Sequence, residues 1–187
     1  MQKKIGRLIY KKRGFLMVPP VLFMALCTWK EVENHVAIFS LGGVAFGAGL
    51  CLRIYSQLHL HYRLRVRKIL TSTGPYAYIR NPLYVANTLL LIGAAFLSEL
   101  FWFAPLILVY CAIVYSFVVR YEEDKLIGKY GATYTEYFNQ VPRWFPRLRG
   151  LLKTSCPNMR EFLVPSILVE MHNLLLLIPF LIKEVRC

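Results

Sequence analysis

Acidic residues are scarce in this sequence of 187 residues, which holds 10 Asp and Glu against 23 Lys and Arg. Charged residues make up 18% of the chain and apolar residues 57%, whereas a soluble domain is about one quarter charged. This composition excludes an intrinsically disordered chain and argues against an ordinary soluble enzyme. The basic excess does not indicate a nucleic-acid-binding protein, because the charges lie in segments between long apolar runs. The arrangement indicates an integral membrane protein.

Paired cysteines and clustered histidines are also lacking. The five cysteines include no C-x-x-C pair, and an odd number without metal-ligand spacing argues against a disulfide framework or a zinc site. His59 and His61 form an H-x-H pattern in a basic stretch; solvation or contact with lipid headgroups is a better interpretation than metal binding. No metal site is predicted. No cleavable signal peptide is expected, because the first apolar run is interrupted by Pro19-Pro20 and has no small-residue cleavage site.

Four long apolar runs predict four to five membrane-spanning helices. A bilayer core about 30 Å thick requires roughly 20 helical residues. The longest run, residues 83–119, is long enough for two helices, which we expect to fold back at Ser98 and Glu99. Residues 162–182 contain Glu170 and His172 and either cross the membrane or lie along its surface. The other two runs are residues 15–29, where a kink is expected at the two prolines, and residues 36–52.

The basic residues are concentrated on one side of this predicted membrane topology. Residues 1–13, 57–82 and 120–162 together hold 19 Lys and Arg, and the remaining connections and the tail after residue 182 hold three. The positive-inside rule therefore places the N-terminus and both long polar segments in the cytoplasm. Much of the net charge of +13 is accounted for by this topology and by contact with anionic lipid.

The first polar segment, residues 68–84, contains two turn signals and three tyrosines. Gly74-Pro75 predicts a turn, and Asn81-Pro82 precedes the third apolar run, where proline suits the first turn of a helix. The aromatic and basic residues of this segment are consistent with two structures; they are Tyr76, Tyr78, Tyr84 and Arg80. One is an aromatic belt with a positive anchor; the other is a cap over a polar, aromatic-lined pocket at the membrane surface.

The second polar segment, residues 120–146, begins with an acidic cluster that opposes the positive-inside trend. Glu122, Glu123 and Asp124 either pair with neighbouring basic residues or bind the ribose hydroxyls or ammonium group of a cationic cofactor. Three further tyrosines follow at spacings of four and three, which is typical of one face of a short amphipathic helix lying on the surface. They are Tyr130, Tyr134 and Tyr137.

Together the two segments resemble the isoprenylcysteine carboxyl methyltransferase and phospholipid methyltransferase superfamily of integral membrane enzymes. The resemblance covers roughly residues 36–149 of a single domain over residues 1–187, with 150–187 as an additional C-terminal segment. Asn81 replaces the histidine of the superfamily's R-H-P element. The first element matches at Gly74, Tyr76, Arg80, Pro82 and Tyr84, and the second at Glu122, Glu123, Leu126, Gly131, Tyr134, Tyr137, Pro142, Arg143 and Pro146.

The resemblance implies a fold, a cofactor and a set of site residues. The fold is an all-α integral membrane helical bundle with a cytoplasmic cofactor-binding cap, and the cofactor is S-adenosylmethionine. The acceptor is a membrane lipid or a lipidated substrate arriving from the bilayer, and Arg120 is expected to orient it. The residues expected to contact the cofactor are Ile69, Leu70, Thr71, Tyr76, Asn81, Pro82, Leu83, Tyr84 and Glu122.

Three functions remain open from the sequence. A carboxylate acceptor is favoured, because it is ionised at neutral pH and needs no base, and neither matching segment contains a histidine. N-methylation of a phospholipid headgroup is the second possibility. The third is a non-catalytic membrane subunit or a transporter-like bundle. Gly47-Ala-Gly49 resembles a G-x-G pattern of phospholipid N-methyltransferases, but close helix packing is the favoured interpretation.

Overall fold

The computed structural model describes residues 2–27, 36–61, 69–147 and 159–178, and no strand occurs among them. An all-helical fold is therefore confirmed for this part of the chain. Short 3-10 helices cover Phe15–Met17, Gly74–Ala77, Phe101–Phe103 and Met171–Leu177. The α-helices are α1 (Gln2–Lys11), α2 (Val18–Leu26), α3 (Val36–His61), α4 (Pro82–Leu97), α5 (Ala104–Tyr130), α6 (Ala132–Gln140) and α7 (Arg160–Glu170).

Two helical segments among the described residues are long and apolar enough to cross a bilayer: α3, and the segment Phe101–Tyr130 that includes α5. At about 1.5 Å per residue, the 26 residues of α3 extend about 39 Å. The 16 residues of α4 extend about 24 Å, less than the bilayer core of about 30 Å. The described residues thus contain two candidate spans, and the expectation of four to five is not confirmed.

Helices α3 and α4 share the largest helix–helix contact of the described residues, and glycines allow their close approach. A Cβ atom at Gly93 would lie 2.6 Å from the backbone nitrogen of Phe46, and one at Gly49 would lie 2.9 Å from the carbonyl oxygen of Ala86. A Cβ atom at Gly47 would have no neighbouring atom within 4 Å. Of the Gly47-Ala-Gly49 pattern, Gly49 therefore serves helix packing.

The chain reverses between α4 and α5 at the predicted position. The Ser98 amide donates to the Ala94 carbonyl over 2.9 Å, and the Leu100 amide donates to the Ala95 carbonyl over the same distance. Glu99 adopts a positive φ of 60°, a left-handed conformation that is uncommon outside glycine. The turn satisfies the last carbonyls of α4, so the division of residues 83–119 into two helices is confirmed.

The structure describes parts of the two other apolar runs. Pro19 and Pro20 lie in the first turn of α2, where the amides of a helix have no internal partner. The kink expected at these prolines stays a prediction. In the C-terminal run, α7 ends at Glu170 and continues as a 3-10 helix. Helix α7 packs against α3, and the 3-10 helix packs against α4. Residues 179–182 of the predicted run lie outside the described residues.

Candidate functional site

A buried ion-pair cluster joins the two polar segments that carry the sequence motifs. The Glu123 carboxylate accepts hydrogen bonds from Arg80 Nη1 over 2.9 Å and from Arg143 Nε over 3.2 Å, and it also contacts Arg143 Nη2. The Glu123 side chain is only 5% exposed. The Arg80 guanidinium also lies 3.9 Å from the Phe138 ring centroid. The second glutamate of the Glu122-Glu123 pair thus connects α5 to both motif segments.

Backbone contacts reinforce this connection. The Arg80 amide donates to the Pro142 carbonyl over 2.9 Å, and the Arg147 amide donates to the Tyr78 carbonyl over 3.1 Å. The buried Tyr137 hydroxyl donates to the Tyr76 carbonyl over 2.7 Å. Tyr137 belongs to α6, and its buried neighbour Tyr134 packs on the same side. The two segments therefore form one cap at the ends of α3, α4 and α5.

Beneath this cap lies a cavity of about 670 Å³, which we call the main cavity. Six of the residues predicted to contact a cofactor line it: Tyr76, Asn81, Pro82, Leu83, Tyr84 and Glu122. Its other walls carry several polar or charged side chains from α1, the α1–α2 connection, α3, the segment before α4, α4 and α5. These are Tyr10, Arg13, Arg53, Gln57, Arg80, Asn87, Lys125 and Lys129.

A smaller cavity of about 120 Å³, the cap cavity, adjoins the main cavity and shares Tyr76, Asn81 and Glu122 with it. Leu70 and Thr71 of the predicted set also line it. Three atoms of its lining residues are buried without a hydrogen-bond partner among the described residues: Thr71 Oγ1, Tyr76 Oη and Arg80 Nε. Such atoms are costly to bury unpaired, so the cap cavity offers polar partners to a ligand.

The phenols of the cap stay protonated near neutral pH. Burial, with a smaller contribution from Glu123, raises the pKa of Tyr134 to about 12. Burial also raises the pKa of Tyr76 and Tyr137 well above the usual range of a phenol. These three tyrosines are therefore hydrogen-bond donors, and none of them is a base under physiological conditions.

Glu122 lies where the main and cap cavities meet. Arg13 Nη1 donates to Glu122 Oε1 over 2.9 Å, and the Tyr84 hydroxyl lies close to the same carboxylate. The Tyr84 ring packs against Tyr115 of α5, with ring centroids 4.7 Å apart. Tyr84 and Glu122, which come from the two different motif elements, thus face one space.

A third cavity, of about 390 Å³, extends from the main cavity toward the apolar helices, and we call it the apolar-side cavity. The two share four residues: Arg13, Arg53, Tyr84 and Asn87. The remaining walls are mainly apolar, with three residues of the C-terminal 3-10 helix among them. They consist of Gly14, Met17, Leu90, Leu91, Tyr115, His172, Asn173 and Leu176.

Two residues of the predicted set lie away from these cavities. Ile69 is 41% exposed and lines none of the three. Arg120 is exposed and lines a separate groove with Val109, Ile113 and Phe117. Residues three or four apart share one face of a helix, so Arg120 belongs to the outer stripe of α5. Glu122, two positions later, belongs to the inner face.

Several cavity residues were not predicted from the sequence. Arg53 and Asn87 are polar residues of the apolar helices α3 and α4, and an apolar helix rarely carries such groups without a role. The sequence shows these polar residues, but for Arg53 a side chain that reaches toward the membrane surface is an equally simple interpretation. Arg13 is one of six Lys and Arg in residues 1–13, and nothing in the sequence distinguishes it from the other five.

A family model described as phospholipid methyltransferase matches residues 36–133. The chain belongs to this family. The family is part of the isoprenylcysteine carboxyl methyltransferase-like superfamily of membrane methyltransferases, so the resemblance found in the sequence is confirmed. The family is one of methyltransferases, and membership together with the two long apolar helical segments points to a membrane protein. The matched region contains Tyr76, Tyr84 and Glu122 and ends before the C-terminal helix α7.

Two curated relatives are proteins of metal resistance by name. A nickel-cobalt-cadmium resistance protein of Alcaligenes xylosoxydans is 28% identical over 136 residues, covering 71% of this chain and 62% of that protein. A cobalt-zinc-cadmium resistance protein of Cupriavidus metallidurans is 28% identical over 120 residues, covering 64% and 54%. The chain thus spans less than two thirds of either relative. No solved structure matches the chain.

Proposed function

We propose that this protein transfers a methyl group from S-adenosylmethionine to the polar end of a membrane-borne acceptor. The observation that carries the proposal is the continuity of the three cavities. The cap and main cavities share Tyr76 and Glu122, and the main and apolar-side cavities share Tyr84. A polar donor and an amphiphilic acceptor can therefore meet at one place.

The residues of the cap and main cavities suit this donor. The unpartnered polar atoms of Thr71, Tyr76 and Arg80 provide hydrogen bonds for its polar groups. The Glu122 carboxylate would bind a ribose hydroxyl or the ammonium group of the donor. Tyr76 and Tyr84 present aromatic faces, which attract cations such as a sulfonium. Ile69 lines none of the three cavities and therefore offers no contact to the donor there.

When bound, S-adenosylmethionine supplies an electrophilic methyl group whose bond to sulfur breaks as the bond to the acceptor forms. The chain's contribution is mainly positioning, which lowers the entropic part of the barrier. Tyr84 is placed at the junction of donor and acceptor cavities, with its ring held by Tyr115. Leu90, Leu91 and Leu176 exclude water from the acceptor side.

Arg13 and Arg53 at the junction favour an acceptor with an anionic polar end. A carboxylate fits best: its ionised oxygen attacks the methyl carbon directly, and a guanidinium can hold it through two hydrogen bonds. We therefore assign the role of orienting the acceptor to these two arginines, in place of the sequence-based assignment to Arg120. Arg120 stays a candidate only for an acceptor that approaches from the outer face of α5.

N-methylation of a phospholipid headgroup is the second candidate, and His172 favours it. His172 lines the apolar-side cavity, and its Nδ1 donates to the Val169 carbonyl over 2.5 Å. In that tautomer Nε2 is the proton acceptor, so it can take the proton of an amine before methyl transfer. The absence of histidine from the two motif segments is therefore no longer a reason to disfavour an amine.

The cavities open, in our proposal, on the cytoplasmic side of the membrane. The cap is built from the two motif segments, which belong to the polar connections 57–82 and 120–162 that together hold 13 Lys and Arg. The positive-inside bias supports this orientation.

The test is a labelled-methyl assay with the purified full-length protein, the labelled donor and a total membrane lipid extract. Transfer of label into lipid is expected. Label released as methanol by mild base identifies a carboxyl methyl ester, and label retained after base identifies an N-methyl headgroup. A wild-type protein that labels no lipid and binds no S-adenosylhomocysteine would instead be a non-catalytic membrane subunit or a transporter-like bundle.

A further inference from the structure

The C-terminal segment Arg160–Leu177 lies outside the region that matches the family model, yet it completes the wall of the apolar-side cavity. His172, Asn173 and Leu176 line this cavity. The segment therefore contributes to the place where we propose that the acceptor binds.

The same segment carries a carboxylate that is fully buried. Glu170, at the end of α7, has no exposed side-chain surface, and it forms an ion pair with Arg53 of α3. Arg53 Nη2 donates to Glu170 Oε1 over 3.2 Å, and Arg53 Nε donates to the other carboxylate oxygen. Two parallel hydrogen bonds between the two groups fix the plane of the guanidinium.

Two asparagines complete this polar network. Asn173 Nδ2 donates to Glu170 Oε2 over 2.6 Å and to the Glu170 carbonyl over 2.9 Å. The Asn87 side-chain oxygen accepts a hydrogen bond from Arg53 Nη1. The carboxylate is thus held from its own segment, and the guanidinium is held from α4 and α7 together.

Arg53 lines both the main cavity and the apolar-side cavity. A guanidinium has more N–H donors than its contacts with Glu170 and Asn87 use. Burying an ion pair is costly, and an apolar pair would join α3 to α7 as well. Helix packing alone therefore does not require this ion pair. A charged guanidinium in the wall of both cavities is better explained by a ligand that binds it.

We propose that Glu170 is a positioning residue for the reaction: it holds Arg53 so that the guanidinium binds the anionic group of the acceptor. This inference rests on the proposed function, and it makes the C-terminal segment part of the active site. The acceptor chemistry it names is an amphiphile with an anionic oxygen group at its polar end. That group is either the carboxylate that receives the methyl or the phosphate beside an amine that receives it.

The experiment compares the variant Glu170→Gln with Glu161→Gln in the full-length protein. Glu161 is exposed on the same helix, so its variant removes the same charge without touching Arg53. The measurements are S-adenosylhomocysteine affinity by calorimetry and methyl transfer as a function of acceptor concentration. For Glu170→Gln we expect acceptor KM to rise at least tenfold while S-adenosylhomocysteine affinity changes less than threefold. Glu161→Gln should match the wild type in both.

A second pair of variants separates positioning from folding. The double variant Arg53→Met with Glu170→Met removes both buried charges together, which preserves folding better than removing one. Its melting temperature should stay close to that of the wild type, and its acceptor KM should rise by a larger factor than its S-adenosylhomocysteine affinity falls. Adding Glu170→Gln to Arg53→Met should raise acceptor KM no further than Arg53→Met alone, because Glu170 acts through Arg53.

The acceptors used are an S-prenylated N-acetylcysteine, phosphatidylethanolamine in mixed micelles, and the total membrane lipid extract. If Glu170→Gln raises the KM of the prenylated cysteine, the group bound by Arg53 is a carboxylate. If it raises the KM of phosphatidylethanolamine, the group is a phosphate. An unchanged acceptor KM in both Glu170→Gln and the double variant would overturn the inference. So would an equal loss of S-adenosylhomocysteine affinity and acceptor affinity. Failure of the wild type to label any acceptor would instead overturn the proposed function.

Discussion

The proposed donor side and the proposed acceptor side of this site are built in different ways. The donor side consists of the cap and main cavities, where the two motif segments are joined through Glu123, Arg80 and Arg143. The acceptor side consists of the apolar-side cavity, whose walls come from the α1–α2 connection, α3, α4, α5 and the C-terminal 3-10 helix. Much of the donor side falls within the family match, whereas Arg13, Met17 and Leu176 of the acceptor side fall outside it.

The difference shows which parts of an active site a short motif can describe. The polar groups of a donor require fixed side chains at fixed spacing along the chain. An apolar acceptor requires a space of suitable width, and many combinations of leucine, methionine and tyrosine provide one. The residues that identify such a space in a sequence are therefore polar residues within an apolar helix. Arg53 and Asn87 are the examples here.

The largest effect is expected from Glu123→Ala, which separates the motif segments. It leaves the buried guanidinium of Arg80 without its carboxylate, and loss of one partner of a buried pair costs about 3–5 kcal/mol. We expect a clear fall in melting temperature in detergent and loss of detectable S-adenosylhomocysteine binding. Asp124→Ala is the matched control, because Asp124 is the adjacent carboxylate and is exposed. Equal melting temperatures for the two variants would show that the cluster does not support the cap.

A smaller effect is expected from Gly93→Ala, which tests the helix contact beneath both sides. The added Cβ would lie 2.6 Å from the Phe46 nitrogen, and overpacking of this kind costs about 1–3 kcal/mol. The melting temperature should fall for Gly93→Ala and stay unchanged for Gly47→Ala, whose added atom meets open space.

Gly47→Ala also tests whether the Gly47-Ala-Gly49 pattern contacts the donor. We expect its affinity for S-adenosylhomocysteine to equal that of the wild type. A loss of affinity without a change in melting temperature would favour the cofactor-binding interpretation of the pattern.

The smallest effect is expected from Arg120→Ala. Arg120 lies on the outer face of α5, in a groove separate from the three cavities. Methyl transfer to total lipid extract should stay within about twofold of the wild type, as for other exposed substitutions. A loss of transfer comparable to that of Arg53→Met would instead support the sequence-based role of Arg120 and an acceptor that enters from the outer face.

The motif elements predicted most of the donor side because their residues serve one local structure. Pro82 marks the start of α4, and Tyr76, Tyr84 and Glu122 line the same cavity. The resemblance already distinguished Glu122, the expected cofactor contact, from Glu123, and neighbouring residues on a helix do face different directions. In the structure Glu123 belongs to the ion-pair cluster, and Glu122 lines the main cavity.

The acceptor side could not be predicted from spacing. Arg53 and Glu170 are 117 positions apart in the chain, and Arg13 and Glu122 are 109 apart. Their pairing depends on how α1, α3, α5 and α7 pack. Arg120 was assigned from the motif and not from the helix face, and the structure places it on the outer apolar stripe of α5. The C-terminal apolar run was identified as unusual because of Glu170 and His172, although its structure stayed undecided.

The most direct test is calorimetric titration of S-adenosylhomocysteine into the purified wild type and the Glu122→Ala variant. The central claim is that the two motif segments jointly bind one nucleotide, with Tyr84 and Glu122 in the wall of the same cavity. Loss of a hydrogen bond to a charged group costs about 1.5–3 kcal/mol, so the affinity of the variant should fall about 10- to 100-fold with an unchanged melting temperature. Equal affinities for wild type and variant, or no binding by the wild type, would contradict the claim.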